Sequence, residues 1–131
     1  IWEEYFDAIE KLAKSNLFDI VGHIDLIKVF NFLPKKDIRS IVQKSLKAIK
    51  KSNMVIELNP AGLRKPVAEQ YPSRDILEVA YEFDIPITFG SDAHAVKQIG
   101  FKYEELVSLA KEIGYTKCAS FENRERTLVS F

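Results

Sequence analysis

Amphipathic helical segments alternate with short apolar segments along this 131-residue chain, and the alternation restricts the possible folds more than any other feature. Apolar residues recur three and four positions apart near residues 2–14, 36–51, 73–84 and 103–113, which predicts four helices. Strand-like runs follow them at 18–23, 54–59, 86–89 and 118–121, and a further β-like piece, 127–130, follows a charged turn. We therefore predict an α/β fold in which successive parallel strands alternate with helices.

The composition excludes several functional classes. A hydrophobic content of 47% and a charged content of 29% fit one globular domain. Nineteen basic residues balance nineteen acidic ones, so neither a nucleic-acid partner nor a membrane partner is indicated. No apolar run approaches the roughly 20 residues of a spanning helix, and the acidic start does not resemble a signal peptide. The single Cys118 excludes an internal disulfide, so we expect a cytoplasmic location.

Polar side chains follow each of the first three predicted strands: His23 and Asp25, then Asn59, then Asp92 and His94. The carboxyl ends of parallel strands meet at one edge, so we expect these side chains to lie close together. Imidazole and carboxylate groups at that edge would suit a divalent cation. The structural alternatives are that the two aspartates cap turns, that His23 is a core histidine and that His94 is a surface residue.

A basic pair, Arg64–Lys65, lies between Gly62 and Pro66 in the loop after the second predicted strand. A guanidinium in a glycine-flanked loop can bind a phosphate through two hydrogen bonds, whereas the alternative is a solvated surface pair. Glu57 lies within the preceding strand, and the sequence leaves its direction open. His, Asp, His and Arg together favour metal-assisted hydrolysis of an anionic ester.

Four motifs resemble the latter half of histidinol-phosphate phosphatases, which belong to the polymerase-and-histidinol-phosphatase (PHP) family. They are Gly-His-Ile-Asp-Leu-Ile-Lys at 22–28, Asn-Pro-Ala-Gly-Leu-Arg-Lys-Pro at 59–66, Tyr-Pro-Ser at 71–73 and Gly-Ser-Asp-Ala-His at 90–94. The resemblance runs from about residue 18 to 115 in the same order and spacing. It implies the C-terminal half of a distorted (β/α)7 barrel, with residues 1–131 forming a single partial PHP domain.

The resemblance also implies a trinuclear cluster of divalent ions (Zn, Mn or Fe) at the carboxyl ends of the strands. By similarity, His23, Asp92 and His94 would each ligate a metal ion. Asp25 would lie behind these ligands and orient an imidazole.

The same resemblance implies a phosphorylated small molecule as the substrate. Arg64 would bind its phosphate or another polar part, with Lys65, Asn59 and Tyr71 as further substrate-binding residues. The predicted activity is phosphomonoester hydrolysis, with L-histidinol phosphate as substrate in histidine biosynthesis. The alternatives are a PHP hydrolase that acts on another phosphoester and a non-catalytic PHP-type scaffold or assembly module.

The chain departs from the family pattern, which also contains an N-terminal His-x-His, another His, a bridging Glu and a further His before the Gly-His-Ile-Asp motif. With only two histidines, the chain lacks these ligands. We therefore expect a C-terminal portion of such an enzyme that is inactive, or nearly so, alone. A half barrel exposes a strand edge, and we expect self-association through that edge.

Overall fold

The computed structural model describes residues 1–131 and contains four α-helices and five β-strands. The helices are α1 (Trp2–Lys14), α2 (Ile38–Lys51), α3 (Arg74–Glu82) and α4 (Tyr103–Ile113). The strands are β1 (Ile20–Val21), β2 (Val55–Leu58), β3 (Ile87–Phe89), β4 (Lys117–Glu122) and β5 (Glu125–Ser130). Every predicted helix and strand is therefore present, and their ends are displaced by a few residues at most.

The strands β1, β2 and β3 form one parallel sheet in that order, and Glu57 on β2 pairs with Thr88 on β3. Because parallel neighbours need a crossover connection, α2 links β1 to β2 and α3 links β2 to β3. The three strands run in the same direction, so the loops that follow them leave the sheet at one edge. We call the edge formed by loops 22–25, 59–64 and 90–94 the carboxyl-end rim. The predicted parallel alternation is confirmed for these three strands.

The fourth strand differs from the prediction. Instead of extending the parallel sheet, β4 pairs antiparallel with β5 in a separate two-stranded sheet. Asn123 and Arg124, which connect the two strands, have φ angles of 50° and 64°. A two-residue turn with both residues in the left-handed region matches the twist of an antiparallel hairpin. The hairpin lies beside β3, where the Thr88 hydroxyl donates a hydrogen bond of 3.0 Å to the Ala119 carbonyl.

Two hydrophobic clusters hold the helices against the sheet. The larger contains 16 buried residues and joins α1, α2 and α3 to β1 and β2. The smaller contains 6 buried residues and joins α3 and α4 to β2 and β3. On β2, Ile56 belongs to the larger cluster and Leu58 to the smaller. Because neighbouring strand residues point to opposite faces, Glu57 between them points away from the helices.

None of the four helices combines the length and the apolar character that crossing a membrane would require.

Candidate functional site

The carboxyl-end rim brings together several of the predicted site residues, and the side chain of Asn59 lies at their centre. Its amide nitrogen donates to Glu57 Oε2 at 3.0 Å and to Asp92 Oδ2 at 3.3 Å. Its amide oxygen accepts the Ala61 backbone N–H at 2.8 Å, which fixes the orientation of the amide. Asn59 is 1% exposed. One buried amide therefore joins the loop that follows β2 to the loop that follows β3.

Glu57 is a site residue that the sequence did not assign. Its carboxylate accepts the backbone N–H of His23 at 3.0 Å, which ties the loop after β1 to the same group. Apolar Ile56 and Leu58 on either side of Glu57 both point toward the helices. Because side chains alternate along a strand, this pattern in the sequence could have placed Glu57 on the opposite face of the sheet. The His23 ring is half-buried and lies 6.4 Å from the Tyr71 ring, measured between centroids.

Asp92 and His94 lie together on the loop after β3. The His94 Nδ1 atom is 2.8 Å from the Asp92 backbone carbonyl and 3.9 Å from Asp92 Oδ1. A carbonyl oxygen only accepts hydrogen bonds, so this contact requires the proton on Nδ1. In the neutral ring the exposed Nε2 atom then carries a lone pair, which is the arrangement that metal-ligating histidines commonly have.

Arg64 reaches the same loop from the loop after β2. Its guanidinium donates to the backbone carbonyls of Ser91 at 3.2 Å and Asp92 at 2.8 Å. It also stacks on Phe101, with Cζ 5.0 Å from the ring centroid. Two of its five N–H groups meet these carbonyls, so three remain for an anion. Lys65 is exposed and makes no side-chain hydrogen bond or ion pair, so the structure does not bring it into this group.

Asp25 belongs to the first loop of the rim, but its carboxylate lies in a separate buried cluster. Its Oδ2 atom accepts the Ser73 backbone N–H at 2.9 Å and lies 3.0 Å from Lys28 Nζ. Lys28 also bonds to Glu69 Oε1 and to the Gln70 carbonyl, both at 2.6 Å. Burial raises the pKa of the Asp25 carboxyl, and the Lys28 charge partly opposes that rise. No hydrogen bond joins Asp25 to the His23 imidazole, so its role in orienting a histidine stays a prediction.

Tyr71 contacts both the group around Asn59 and the cluster around Asp25. Its backbone pairs with Asn59 through two hydrogen bonds of 2.8 Å, and its ring lies 5.1 Å from Lys28 Nζ. The side chain is fully buried, and its hydroxyl has no hydrogen-bond partner. Burial raises the pKa of this phenol, and the negative charges of Asp25 and Asp92 add to the rise.

Comparisons with known proteins match most of the chain. A PHP domain profile matches residues 1–61, and a PHP-associated profile matches residues 73–119. A protein assigned as a histidinol-phosphatase in Deinococcus radiodurans is 34% identical over 125 residues, which are 95% of this chain and 47% of that protein. The histidinol-phosphatase of Bacillus subtilis is 34% identical and covers 79% of this chain and 42% of that protein.

The chain thus carries a PHP domain match followed by a PHP-associated match, and it is similar to histidinol-phosphatases. A crystal structure of a protein assigned as a histidinol phosphatase from Listeria monocytogenes superposes with a TM-score of 0.66 at 30% identity. The match covers 77% of this chain and 42% of that one. The chain thus spans about half the length of the curated relatives that it matches, 47% and 42%.

PHP histidinol phosphatases are generally metal-dependent, and the donor chemistry of this chain fits a divalent cation in two respects. The carboxylates of Glu57 and Asp92 share one neutral amide, and neither contacts a Lys or Arg side chain. His94 in its neutral form offers an Nε2 lone pair when Nδ1 donates to the Asp92 carbonyl. The number of ligands is smaller than a full shell needs, because no three His, Cys, Asp or Glu side chains converge on one point.

Proposed function

We propose that this chain takes part in metal-dependent phosphomonoester hydrolysis, with L-histidinol phosphate as the substrate, in histidine biosynthesis. The observation that carries the proposal is the carboxyl-end rim. There, two carboxylates without a Lys or Arg partner lie around the Asn59 amide, beside a guanidinium that is 2.8 Å from the Asp92 carbonyl. Such a rim suits a cation and a phosphate side by side. The names of the two curated relatives support the choice of reaction and substrate.

In this proposal His23, Asp92 and His94 hold divalent ions (Zn, Mn or Fe), which, when bound, neutralise the phosphoryl oxygens and activate water. The side chains of the loop after β2 position the substrate. Arg64 binds the phosphate with the N–H groups that its two carbonyl contacts leave free.

Further contacts with the substrate would come from Lys65, Asn59 and Tyr71. The Asn59 and Tyr71 side chains are buried at the rim, and the Tyr71 hydroxyl has no hydrogen-bond partner within the chain. Lys65 is exposed and free to move toward an anion. Cys118, the single thiol, is compatible with the reducing cytoplasm, where we place this reaction.

We further propose that the chain corresponds to the C-terminal half of a (β/α)7 barrel and is inactive alone. Strand β1 pairs only with β2, so its other edge is free. Next to that edge Leu17, Phe18 and Ile20 are 67%, 53% and 39% exposed. We propose that this edge binds further strands, either from a second copy or from a complementary PHP half. Light scattering across a concentration series should detect dimers, which Phe18→Glu should weaken.

The proposed metal ligands are tested by Mn²⁺ titration of the chain. We expect Asp92→Ala and His94→Ala each to weaken binding by about tenfold or more, since each removes one proposed ligand. Glu122→Ala, which changes an exposed carboxylate on β4, is the control and should bind like the wild type. Equal binding by all four proteins would contradict the ligand assignment.

A test of the proposed activity requires the part of the relatives that this chain does not span. We would replace the matching segment of the Bacillus subtilis histidinol-phosphatase with this chain and assay L-histidinol phosphate against p-nitrophenyl phosphate. Preference for L-histidinol phosphate supports the proposed substrate, and preference for the generic ester supports another PHP hydrolase. A folded chimera that hydrolyses neither ester would favour the non-catalytic scaffold, the function consistent with too few converging ligands.

A further inference from the structure

Glu57 lies on the central strand of the parallel sheet, and a single oxygen of its carboxylate receives two hydrogen bonds. Oε2 accepts the His23 backbone N–H at 3.0 Å and the Asn59 amide at 3.0 Å. The same Asn59 nitrogen carries a second hydrogen, which it donates to Asp92 Oδ2 at 3.3 Å. The three loops of the rim are thereby joined through one strand residue and its amide neighbour.

The glycines of two motifs leave room for this carboxylate. A Cβ atom at Gly90 would lie 2.1 Å from Glu57 Oε1, and one at Gly22 would lie 3.3 Å from Oε2. Atoms cannot approach to 2.1 Å without bonding, so a side chain at Gly90 and the present position of Glu57 exclude each other. Glycine at position 90 is therefore explained by the space that Glu57 occupies, whereas a Cβ atom at position 22 would need Glu57 to shift by only a few tenths of an ångström.

The two loops that follow these glycines contain unfavourable backbone angles. His23 has φ of 27° and Asp92 has φ of 50°, both on the left-handed side that side-chain-bearing residues seldom adopt. Such conformations persist only where surrounding bonds hold them. Glu57 supplies a bond to the His23 backbone, and Asn59 supplies one to the Asp92 side chain.

We propose that Glu57 is a positioning residue, which holds the loops of His23 and Asp92 in a fixed relation by accepting hydrogen bonds at Oε2. The effect of Glu57 on metal binding rests on the proposed function. Its hydrogen bonds to the loops exist in the protein without metal and do not depend on that function. The Glu57 charge is dispensable for this role, because a neutral acceptor at the Oε2 position makes the same two bonds.

Glu57→Gln and Glu57→Leu separate these possibilities. The glutamine of the first variant can place its carbonyl oxygen where Oε2 lies, whereas the leucine of the second has no acceptor. The first measurement is amide hydrogen exchange at His23 in the protein without metal, and the second is Mn²⁺ affinity. Glu122→Leu, an exposed strand glutamate exchanged for the same residue, is the matched control.

We expect Glu57→Leu to speed exchange at His23 by about tenfold, as for the loss of one hydrogen bond. We expect Mn²⁺ affinity to fall by about 10- to 100-fold, as for the loss of a group that orients ligands. Glu57→Gln should remain within about threefold of the wild type in both measurements. Rescue by glutamine distinguishes an acceptor from a metal ligand, because a direct ligand would lose its charge in both variants.

The proposal is overturned if Glu57→Gln loses as much Mn²⁺ affinity as Glu57→Leu, since the charge would then be what matters. It is also overturned if exchange at His23 is unchanged in Glu57→Leu. If the wild type does not bind Mn²⁺ but exchange at His23 responds to Glu57→Leu and not to Glu57→Gln, the positioning role stands. In that case the metal-dependent function is the part that fails.

Discussion

Two acidic clusters lie near the carboxyl-end rim, and their negative charges are balanced in different ways. In the first, the fully buried Asp25 carboxylate lies 3.0 Å from Lys28 Nζ, which also bonds to Glu69 at 2.6 Å. In the second, Glu57 and Asp92 share only the neutral amide of Asn59. No Lys or Arg side chain contacts either of these two carboxylates.

The difference follows from burial. A carboxylate that is wholly removed from water must be paired, because an isolated charge in the interior costs several kcal/mol. Asp25 meets this requirement at Oδ2, which lies beside Lys28 and accepts the Ser73 N–H, whereas its buried Oδ1 atom has no hydrogen-bond partner. Asp92 is 31% exposed at its side chain and remains hydrated, so it tolerates the lack of a Lys or Arg partner. The second cluster can therefore take a cation from solution, whereas the first already contains one.

The largest expected effect is at Lys28. Lys28→Met removes the charge beside buried Asp25, and we expect a loss of about 3–5 kcal/mol in the free energy of unfolding, measured by urea titration. The double variant Asp25→Asn/Lys28→Met should recover most of this loss. A single variant that is as stable as the wild type would show that the ammonium does not balance Asp25.

The same variant should show a defined pH dependence. Burial raises the pKa of Asp25 and Lys28 opposes that rise, so Lys28→Met should raise it further. A raised pKa in the folded state means that folding favours the protonated acid. This contribution to the free energy of unfolding is lost as pH rises above the pKa of an aspartate in the unfolded chain, about 3.9. The deficit of Lys28→Met relative to the wild type should therefore be larger at pH 7.5 than at pH 4.5. An equal deficit at both pH values would contradict this assignment.

The next largest effect concerns the space around Glu57. Gly90→Ala places a Cβ atom 2.1 Å from Glu57 Oε1 and should destabilise the protein by about 2 kcal/mol. In a Glu57→Ala background the clash is absent, so we expect a coupling energy of about 1–3 kcal/mol in the double-mutant cycle. Gly22→Ala, with its contact at 3.3 Å, should show a smaller effect. Additive effects of Gly90→Ala and Glu57→Ala would contradict the packing described above.

The third prediction tests whether the guanidinium beside the second cluster serves a substrate. Arg64→Ala in the Bacillus subtilis chimera should raise KM for L-histidinol phosphate by about tenfold, since it removes a charged phosphate contact. The kcat value should change less, because the Arg64 guanidinium contacts the backbone of Asp92 and not its carboxylate. Lys65→Ala is the neighbouring control and should raise KM less. Unchanged kinetics in Arg64→Ala would exclude an anion site at this residue.

The smallest effect should come from the Asp92 carboxylate, which has no Lys or Arg partner. Asp92→Asn keeps an acceptor for the Asn59 amide and removes one of two neighbouring negative charges. We expect the metal-free protein to gain about 0.5 kcal/mol or less in the free energy of unfolding. Asp25→Asn should lower that free energy, because Lys28 would lose its buried partner. Destabilisation of equal size by both substitutions would remove the distinction between the clusters.

The sequence by itself determined the order of the elements and the approximate place of the site. The periodicity of apolar residues predicted α4 at Tyr103–Ile113, and the same bounds occur in the structure. Asn59 and Asp92 were predicted to meet because parallel strands end at one edge, and the Asn59 amide joins them. These features depend on local periodicity and on strand direction, which a sequence carries directly.

Only the tertiary structure decided which groups contact each other across the chain. The partners of Asp25 include the Ser73 N–H, 48 positions away, and Glu57 accepts an N–H 34 positions away. The pairing of β4 with β5 likewise depended on a turn geometry that residue types alone did not specify. Hydrogen bonds and ion pairs of this kind arise from the packing of distant segments. A pattern that is read along the chain therefore located the rim but not the direction of Glu57 or the neutralisation of Asp25.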